Sequence, residues 1–522
     1  MSAGFILFLV VTAVALLLFM VLKLKISAFI SLLITAIYAG LLAGMPPDAV
    51  LKSIQEGMGS TLGFVATVVG LGAIFGQILE SSGGAEALAH TLVRRFGQKK
   101  APWAMALTGF IVAIPVFFDV GFIILVPIVY ALARDTQRSL LYYAIPLLAG
   151  LAATHTFVPP TPGPVAVADI INVQLGWVIL FGILLGIPTT ILAGPLWGNY
   201  ISKKIYLPPP PADIPVTREQ TASRESPAPD ETITAPGNKR SGSGETLTLH
   251  SEVAMDPGET TKGSGGIIKE DTWEGRGHIT PDLGAPPSAG DPANLLPSFG
   301  LIASLIGVPL FLILLNTLTG VLVDKEVIGA SLLTTVIRFL GHPFSALIIA
   351  TLLALWLLGI RRGMAPQALL DLSNKALGPA GLIILITGAG GVLKQILVDS
   401  GMGKMMAESM AGSSLSPILL AWLLAAVVRI TQGSATVAMI TAAGIIAPVL
   451  ELLDLSDPLR ALIVIAIASG ATILSHVNDS GFWLVGKYLG MNEKDTLRSW
   501  TIMETIIAVC GLVFTLLTSL FF

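Results

Sequence analysis

The sequence predicts an all-α polytopic membrane protein, with two inverted repeats carrying broken helices or re-entrant hairpins. Roughly 10–14 crossings are expected at about 20 residues each. Three observations predict this fold. The chain has 522 residues, 53% of them apolar and 12% charged, about half the charge of a soluble domain, and its mean hydropathy is +0.81. Apolar runs of bilayer length recur along the whole chain, and a glycine-rich motif occurs twice. This composition excludes a nucleic-acid binder, a disordered scaffold and an ordinary cytosolic enzyme. The single cysteine, Cys510, excludes a disulfide framework or a cysteine-based metal site, and is read as a small buried hydrophobe.

The first apolar run, 5–22, is long enough to cross a bilayer. It has no basic region before it and no small-residue cleavage site after it, so it is not read as a signal peptide. Lys23 and Lys25 follow, and 26–44 turns back to complete an N-terminal hairpin over 1–49. Further spans are expected at 61–79, 140–157, 176–201, 298–318, 327–358, 377–398, 459–474 and 500–520. The stretches 103–133 and 415–452 exceed one crossing and are interrupted by Pro, Gly or polar residues, which predicts a re-entrant hairpin plus a helix in each. Gly341-His342-Pro343 also interrupts 327–358.

Basic residues fix the orientation. Lys23, Lys25, Arg94, Arg95, Lys99, Lys100, Arg134, Arg138, Lys203, Lys204, Arg361, Arg362, Lys487, Lys494 and Arg498 all fit the cytoplasmic side. The insert at 206–297 then lies in the cytoplasm. Its 207–297 part holds 14 acidic and 7 basic residues, a net −7, and the remainder of the chain is at +4. It opens with four prolines, is rich in Pro, Gly, Ser and Thr and lacks periodicity, so a disordered linker is expected.

Residues 70–83 (GLGAIFGQILESSG) and 388–401 (GAGGVLKQILVDSG) share the pattern GxGxxxxQILxxSG without a gap. Each is followed by a broken apolar stretch and then by a span ending in Thr154-His155 or Ser475-His476. The loop after the first QIL segment is strongly basic and the loop after the second is not, so the two copies are expected to face opposite ways. The predicted organisation is a first transport repeat at 50–205, connecting helices at 298–369 and a second transport repeat at 370–522.

Broken backbone at membrane depth must line a protein cavity or a wet path. Four breaks qualify: 118–121 (FDVG), 159–164 (PPTPGP), 431–436 (TQGSAT) and 476–481 (HVNDSG). Their half-helix N-termini attract a carboxylate, and their hydroxyls and amides can bind substrate hydroxyls. Arg429 precedes the third break; it is read either as a bidentate clamp on a substrate carboxylate or as a structural partner of Asp119 or Asp479. Asp119 and Asp479 are each either proton carriers or helix caps. His155 and His476 occupy matched positions and suit a proton relay, although a lone apolar histidine is more often structural. Glu504 in the last span either faces the bundle or is a buried structural acid, the second reading being favoured. Glu80, Lys394 and Asp399 sit near span ends, where solvation explains them. No P-loop, HExxH or GxSxG motif is present, so no enzyme activity and no cofactor is expected, and transport energy is expected from an ion gradient.

The segments 432–441 (QGSATVAMIT), 475–483 (SHVNDSGFW), 155–164 (HTFVPPTPGP), 117–122 (FFDVGF) and 500–507 (WTIMETII) resemble the signature segments of the gluconate permease (gluconate:proton symporter) family, within the wider ion-transporter superfamily. The resemblance covers nearly the whole chain outside 207–297. It implies proton-coupled uptake of gluconate or a related small sugar acid across the bacterial inner membrane, with relatives that also move idonate, D-serine and small hydroxy acids, and a homodimer as in related carriers. Thr161 stands where gluconate carriers often have His, and Asp119 where many have Glu. A sodium-coupled or D-serine-type carrier of the same fold is the alternative. The expected substrate site comprises Arg429, Thr431, Gln432, Gly433, Ser434, Thr436, Asn478 and Ser480, with Thr161 and Gly163 from the other repeat. The expected proton-coupling set is Asp119, His155, His476 and Asp479. The partners are then a small carboxylate, H⁺ and the lipid bilayer, with no nucleic acid and no metal.

Overall fold

Apolar sequence at bilayer length has one economical solution, the helix, because it satisfies every backbone polar group internally. The computed structural model describes residues 3–209, 296–405 and 416–522, and among these it contains helices and turns but no strand. The helices of the first half are α1 (Ala3–Leu22), α2 (Ala28–Leu42), α3 (Pro47–Ser81), α4 (Gly84–Phe96), α5 (Ala101–Val112), α6 (Phe118–Thr136), α7 (Leu141–Phe157), α8 (Pro162–Ile170) and α9 (Leu175–Ile191). A π turn at Leu192–Leu196, containing Pro195, carries α9 into α10 (Trp197–Ile201). The second half has α11 (Phe299–Asp324), α12 (Leu332–Leu340), α13 (Pro343–Ala354), α14 (Pro366–Asp399), α15 (Pro417–Gln432), α16 (Ala435–Leu452), α17 (Asp457–Gly470) and α18 (Ser480–Leu489). It closes with α19 (Glu493–Thr496), a π turn at Leu497–Thr501 and α20 (Ile502–Ser519). Nearly all of the expected insert at 206–297, and part of the loop after α14, lie outside the described residues.

Eight helices among the described residues are long and apolar enough to cross a membrane. Shorter apolar helices lie at Val11–Leu22, Ala28–Leu42 and Pro417–Gln432. The 103–133 stretch divides into α5 and α6 around Ala113–Phe117, and the 415–452 stretch into α15 and α16 at Gly433-Ser434. His342 caps α13 ahead of Pro343, which separates α12 from α13.

The two QIL segments lie on α3 and α14, the longest helices described, and these two pack against each other. Small residues permit the close approach. A Cβ on Gly57 would come within 2.7 Å of the Gly391 carbonyl, and a Cβ on Gly388 would run into the Met58 sulfur. The Gly-rich 388–391 stretch is thus a packing surface. In both halves the elements follow in one order. A QIL helix leads to a divided pair (α5–α6, then α15–α16), then to a buried helix (α7, then α17), then to a break and a short helix (α8, then α18). The core is continuous, and α7 and α17 are buried along most of their length.

Gly57→Ala is expected to destabilise the protein by about 1–3 kcal/mol through overpacking of the α3–α14 contact. Gly59→Ala on the same helix, where a Cβ meets nothing within 4 Å, is expected to be neutral or slightly stabilising. Thermal unfolding of the two purified variants, followed by size-exclusion, checks the pair.

Candidate functional site

The first N–H groups of a helix have no partner within it, and the breaks bring four helix starts to one place. The N-termini of α6, α8, α16 and α18 all border a single cavity of about 520 Å³. They contribute Phe118-Asp119-Val120, Pro162, Ala435-Thr436 and Ser480-Gly481 respectively. The end of α7 adds Ala152, His155 and Thr156, and α14 adds Pro379 and Ile383. Arg429 and Gln432 come from the end of α15, and Trp500 and Glu504 from the last span.

Gly433 makes the α15–α16 turn. Its φ is +86°, a left-handed value that glycine adopts without strain, and a Cβ there would run into the Asn478 carbonyl. Ser434 then caps α16, its hydroxyl accepting from the Val437 N–H at 3.4 Å. The free carbonyls at the end of α15 are met from the neighbouring break. Asn478 Nδ2 donates to the Ile430 and Thr431 carbonyls at 2.9 and 3.3 Å, and His476 Nε2 lies 3.0 Å from the Ile430 carbonyl.

Arg429 is 4% exposed. Its Nη2 donates to Asp479 Oδ2 at 2.6 Å, so the structural pair left open by the sequence is present. Asp479 also caps α18, accepting from the Gly481 N–H at 3.0 Å, and it accepts from the Ser475 hydroxyl. The direction of that last bond is set from outside, because Trp500 Nε1, a donor only, gives its hydrogen to Ser475 Oγ at 2.7 Å. Asp479 therefore accepts from three donors, Arg429, Ser475 and Gly481. Arg429 keeps Nε and Nη1 buried and without a partner. His155 Nδ1, Gln432 Oε1 and Glu504 Oε1, also from the cavity lining, are buried and unpartnered as well. Buried unpaired polar atoms gathered at one space mark a place that a ligand or water completes.

The structure brings together Arg429, Gln432, Gly433, Ser434, Thr436, Asn478, Ser480, Asp119, His155 and Asp479 from the expected set. Four others do not line the cavity. The Thr431 hydroxyl bonds back to the Val427 and Val428 carbonyls of its own helix at 2.8 and 3.0 Å. Thr161 precedes Pro162 as the cap residue of α8, and its hydroxyl turns inward to the Val158 carbonyl at 2.7 Å. Gly163 faces Met439, whose terminal methyl occupies the space a Cβ would need. His476 is spent on the end of α15. Asp119 is not a cap either: the cap of α6 is Phe117, and Asp119 stands in the first turn with its side chain open to the cavity. Glu504, expected as a structural acid, is on the cavity wall. The signal was its spacing from Trp500, one helical turn away and on the same face.

A family model described as GntP family permease matches residues 5–235 and 287–521. The chain is 39% identical over 499 residues to the gluconate permease of Pseudomonas aeruginosa strain PAO1, covering 95% of this chain and 94% of that one. It is 37% identical over 501 residues to the low-affinity gluconate transporter of Escherichia coli strain K12, covering 96% and 95%. Its fold is similar to the crystal structure of the Alcanivorax borkumensis YdaH transporter, at 12% identity and a TM-score of 0.53, covering 93% of this chain and 96% of the other.

Asp479→Asn removes the acceptor of Arg429 Nη2 and the cap of α18 together and is expected to cost about 3–5 kcal/mol. The double variant Arg429→Gln/Asp479→Asn removes both charges and is expected to recover most of that loss. Thermal unfolding of the variants in detergent reads both effects. A double variant as unstable as Asp479→Asn alone would contradict the role of the pair.

Proposed function

We propose, from the premise that this chain belongs to the GntP permease family, a family of multi-pass membrane permeases and not of enzymes, that it carries gluconate or a related small sugar acid together with protons across the bacterial inner membrane. The observation that carries this reading is the meeting of four helix N-termini and the unpartnered Nε and Nη1 of Arg429 at one cavity. Helix N-termini favour an anion, and a planar guanidinium matches a carboxylate. A volume of about 520 Å³ falls within the range of small-ligand sites. The substrate carboxylate is placed against Arg429. Gln432, Ser434, Thr436, Asn478 and Ser480 then face the hydroxylated chain, and the Asp119 carboxylate accepts from substrate hydroxyls. Both relatives described above are named for gluconate, which supports the sugar acid as the substrate class.

Charge supports the proton. Among the described residues, the cavity lining has one permanent cation, Arg429, against the carboxyl groups of Asp119, Asp479 and Glu504, with His155 beside them. An added substrate anion increases an existing excess of acid, and taking up a proton at Asp119, His155 or Glu504 relieves it. Asp479 and His476 are already committed to Arg429 and to the end of α15, so neither is the carrier. Transport then proceeds by movement of one repeat-derived group of helices against the other around this site, with the repeats oppositely oriented.

Proteoliposomes with an inward proton gradient are expected to accumulate labelled gluconate. An uncoupler should abolish accumulation, and a sodium gradient alone should not drive it. Competition by unlabelled sugar acids, glycerate and D-serine ranks the substrates. Accumulation driven by sodium and indifferent to the uncoupler would overturn the proton coupling, and uptake of another hydroxy acid with none of gluconate would move the substrate within its class.

Arg429→Gln/Asp479→Asn, once shown by its thermal unfolding to be folded, is expected to lower gluconate affinity at least 100-fold, in line with loss of a buried charge-assisted pair. Equilibrium binding to the purified protein measures it, and wild-type affinity would remove Arg429 from the carboxylate site.

A further inference from the structure

We infer that Glu504 is the residue that binds the coupled proton, and that it works by competing with the substrate for Arg429. This rests on the proton-coupled reading above and names the group responsible. Glu504 is 4% exposed and its Oε1 has no donor. An ionised carboxylate in that position needs a cation or several donors. The charged and titratable groups that share its cavity are Arg429 from α15, Asp479 from the cap of α18, Asp119 from the first turn of α6 and His155 from α7. The π turn at Leu192–Leu196 and the helices α9 and α17, which also pack on α20, bring no titratable side chain to it: the first two have none, and Asp457 and Arg460 sit at the far start of α17; Arg498, in the π turn before α20, is exposed and does not line the cavity.

Arg429 is therefore the one permanent cation within this set, and Asp479 already occupies its Nη2. Nε and Nη1 remain. With a proton on Glu504 the carboxyl is neutral and those two nitrogens are free for the substrate carboxylate. Without it, the Glu504 carboxylate takes the guanidinium for its own compensation, and the substrate is displaced. Proton and substrate binding thus favour each other by the same factor, which is the condition for moving both in one direction. Asp119 differs in kind. Its side chain is open to the cavity and stands in the first turn of α6, where the helix dipole favours a negative charge.

The test uses the full chain in proteoliposomes, with gluconate as the probe. Glu504→Gln copies the shape of the protonated residue. It is expected to keep gluconate binding and gluconate counterflow, to lose accumulation above equilibrium under a proton gradient, and to lose the alkaline decline in affinity. In the wild type that decline is expected to reach about tenfold per pH unit. Glu504→Asp retains an ionisable group and is expected to keep coupled accumulation, with its pH profile displaced. Coupled accumulation by Glu504→Gln overturns the inference. So does a monodisperse Glu504→Gln protein that binds no gluconate, because a neutral mimic must still bind. A wild-type protein whose accumulation ignores the proton gradient is a different failure, that of the function proposed above. Should Glu504→Gln fail to fold, the wild type in weak buffer still decides: gluconate binding must take up protons from solution on the alkaline side, and binding without uptake overturns the inference.

Discussion

The Arg429–Asp479 ion pair is the interaction on which the site depends. Four helix N-termini facing one cavity already create positive potential, and a buried guanidinium in that field is tolerable only beside a fixed anion. Asp479 supplies it, and the same carboxylate starts α18 by accepting from Gly481. Trp500 sets the Ser475 hydroxyl, and Ser475 in turn donates to Asp479. One side chain therefore joins the break before α18, the end of α15 and the last span. Remove it, and a helix cap, a counter-ion and the orientation of Arg429 go together.

The scaffold around this pair solves a second problem, how to stop helices inside a bilayer. The C-terminal carbonyls of α15 are taken up by Asn478 and His476. Arg460 gathers the carbonyls of Ile171, Leu450 and Leu455 at 3.3, 3.2 and 3.2 Å, tying the segments after α8, near the end of α16 and before α17. Lys394 on α14 reaches Glu451 near the end of α16 at 2.7 Å. Polar side chains thus appear where the backbone ladder is interrupted and carbonyls lack partners, while glycines at 57, 388 and 391 let α3 and α14 meet along their backbones.

Much of this was legible in the sequence because membrane helices tolerate few polar residues, so each interruption is a signal. The breaks and the alternatives for Arg429 followed from apolar runs cut by Gly, Pro, Arg and Asp. What the sequence could not show is which way a side chain turns once a helix has stopped. Thr431 and Thr161 carry the right chemistry but hydrogen-bond their own local backbone. Gly163 is taken up by packing against Met439. His476 and His155 occupy equivalent positions in sequence, yet one caps α15 and the other borders the cavity. Glu504, read as a buried acid of the last span, is buried, and it shares the cavity wall with Trp500 one turn back.

The central claim is that the free edge of the Arg429 guanidinium receives the carboxylate of the transported acid. A cryo-EM structure of the protein with saturating gluconate tests it most directly. The account predicts the carboxylate within hydrogen-bonding distance of Arg429 Nε and Nη1, the polyol chain running toward the α16 and α18 N-termini, and the Asp479 contact to Nη2 retained. A carboxylate bound elsewhere, with Nε and Nη1 still unpaired, would contradict it.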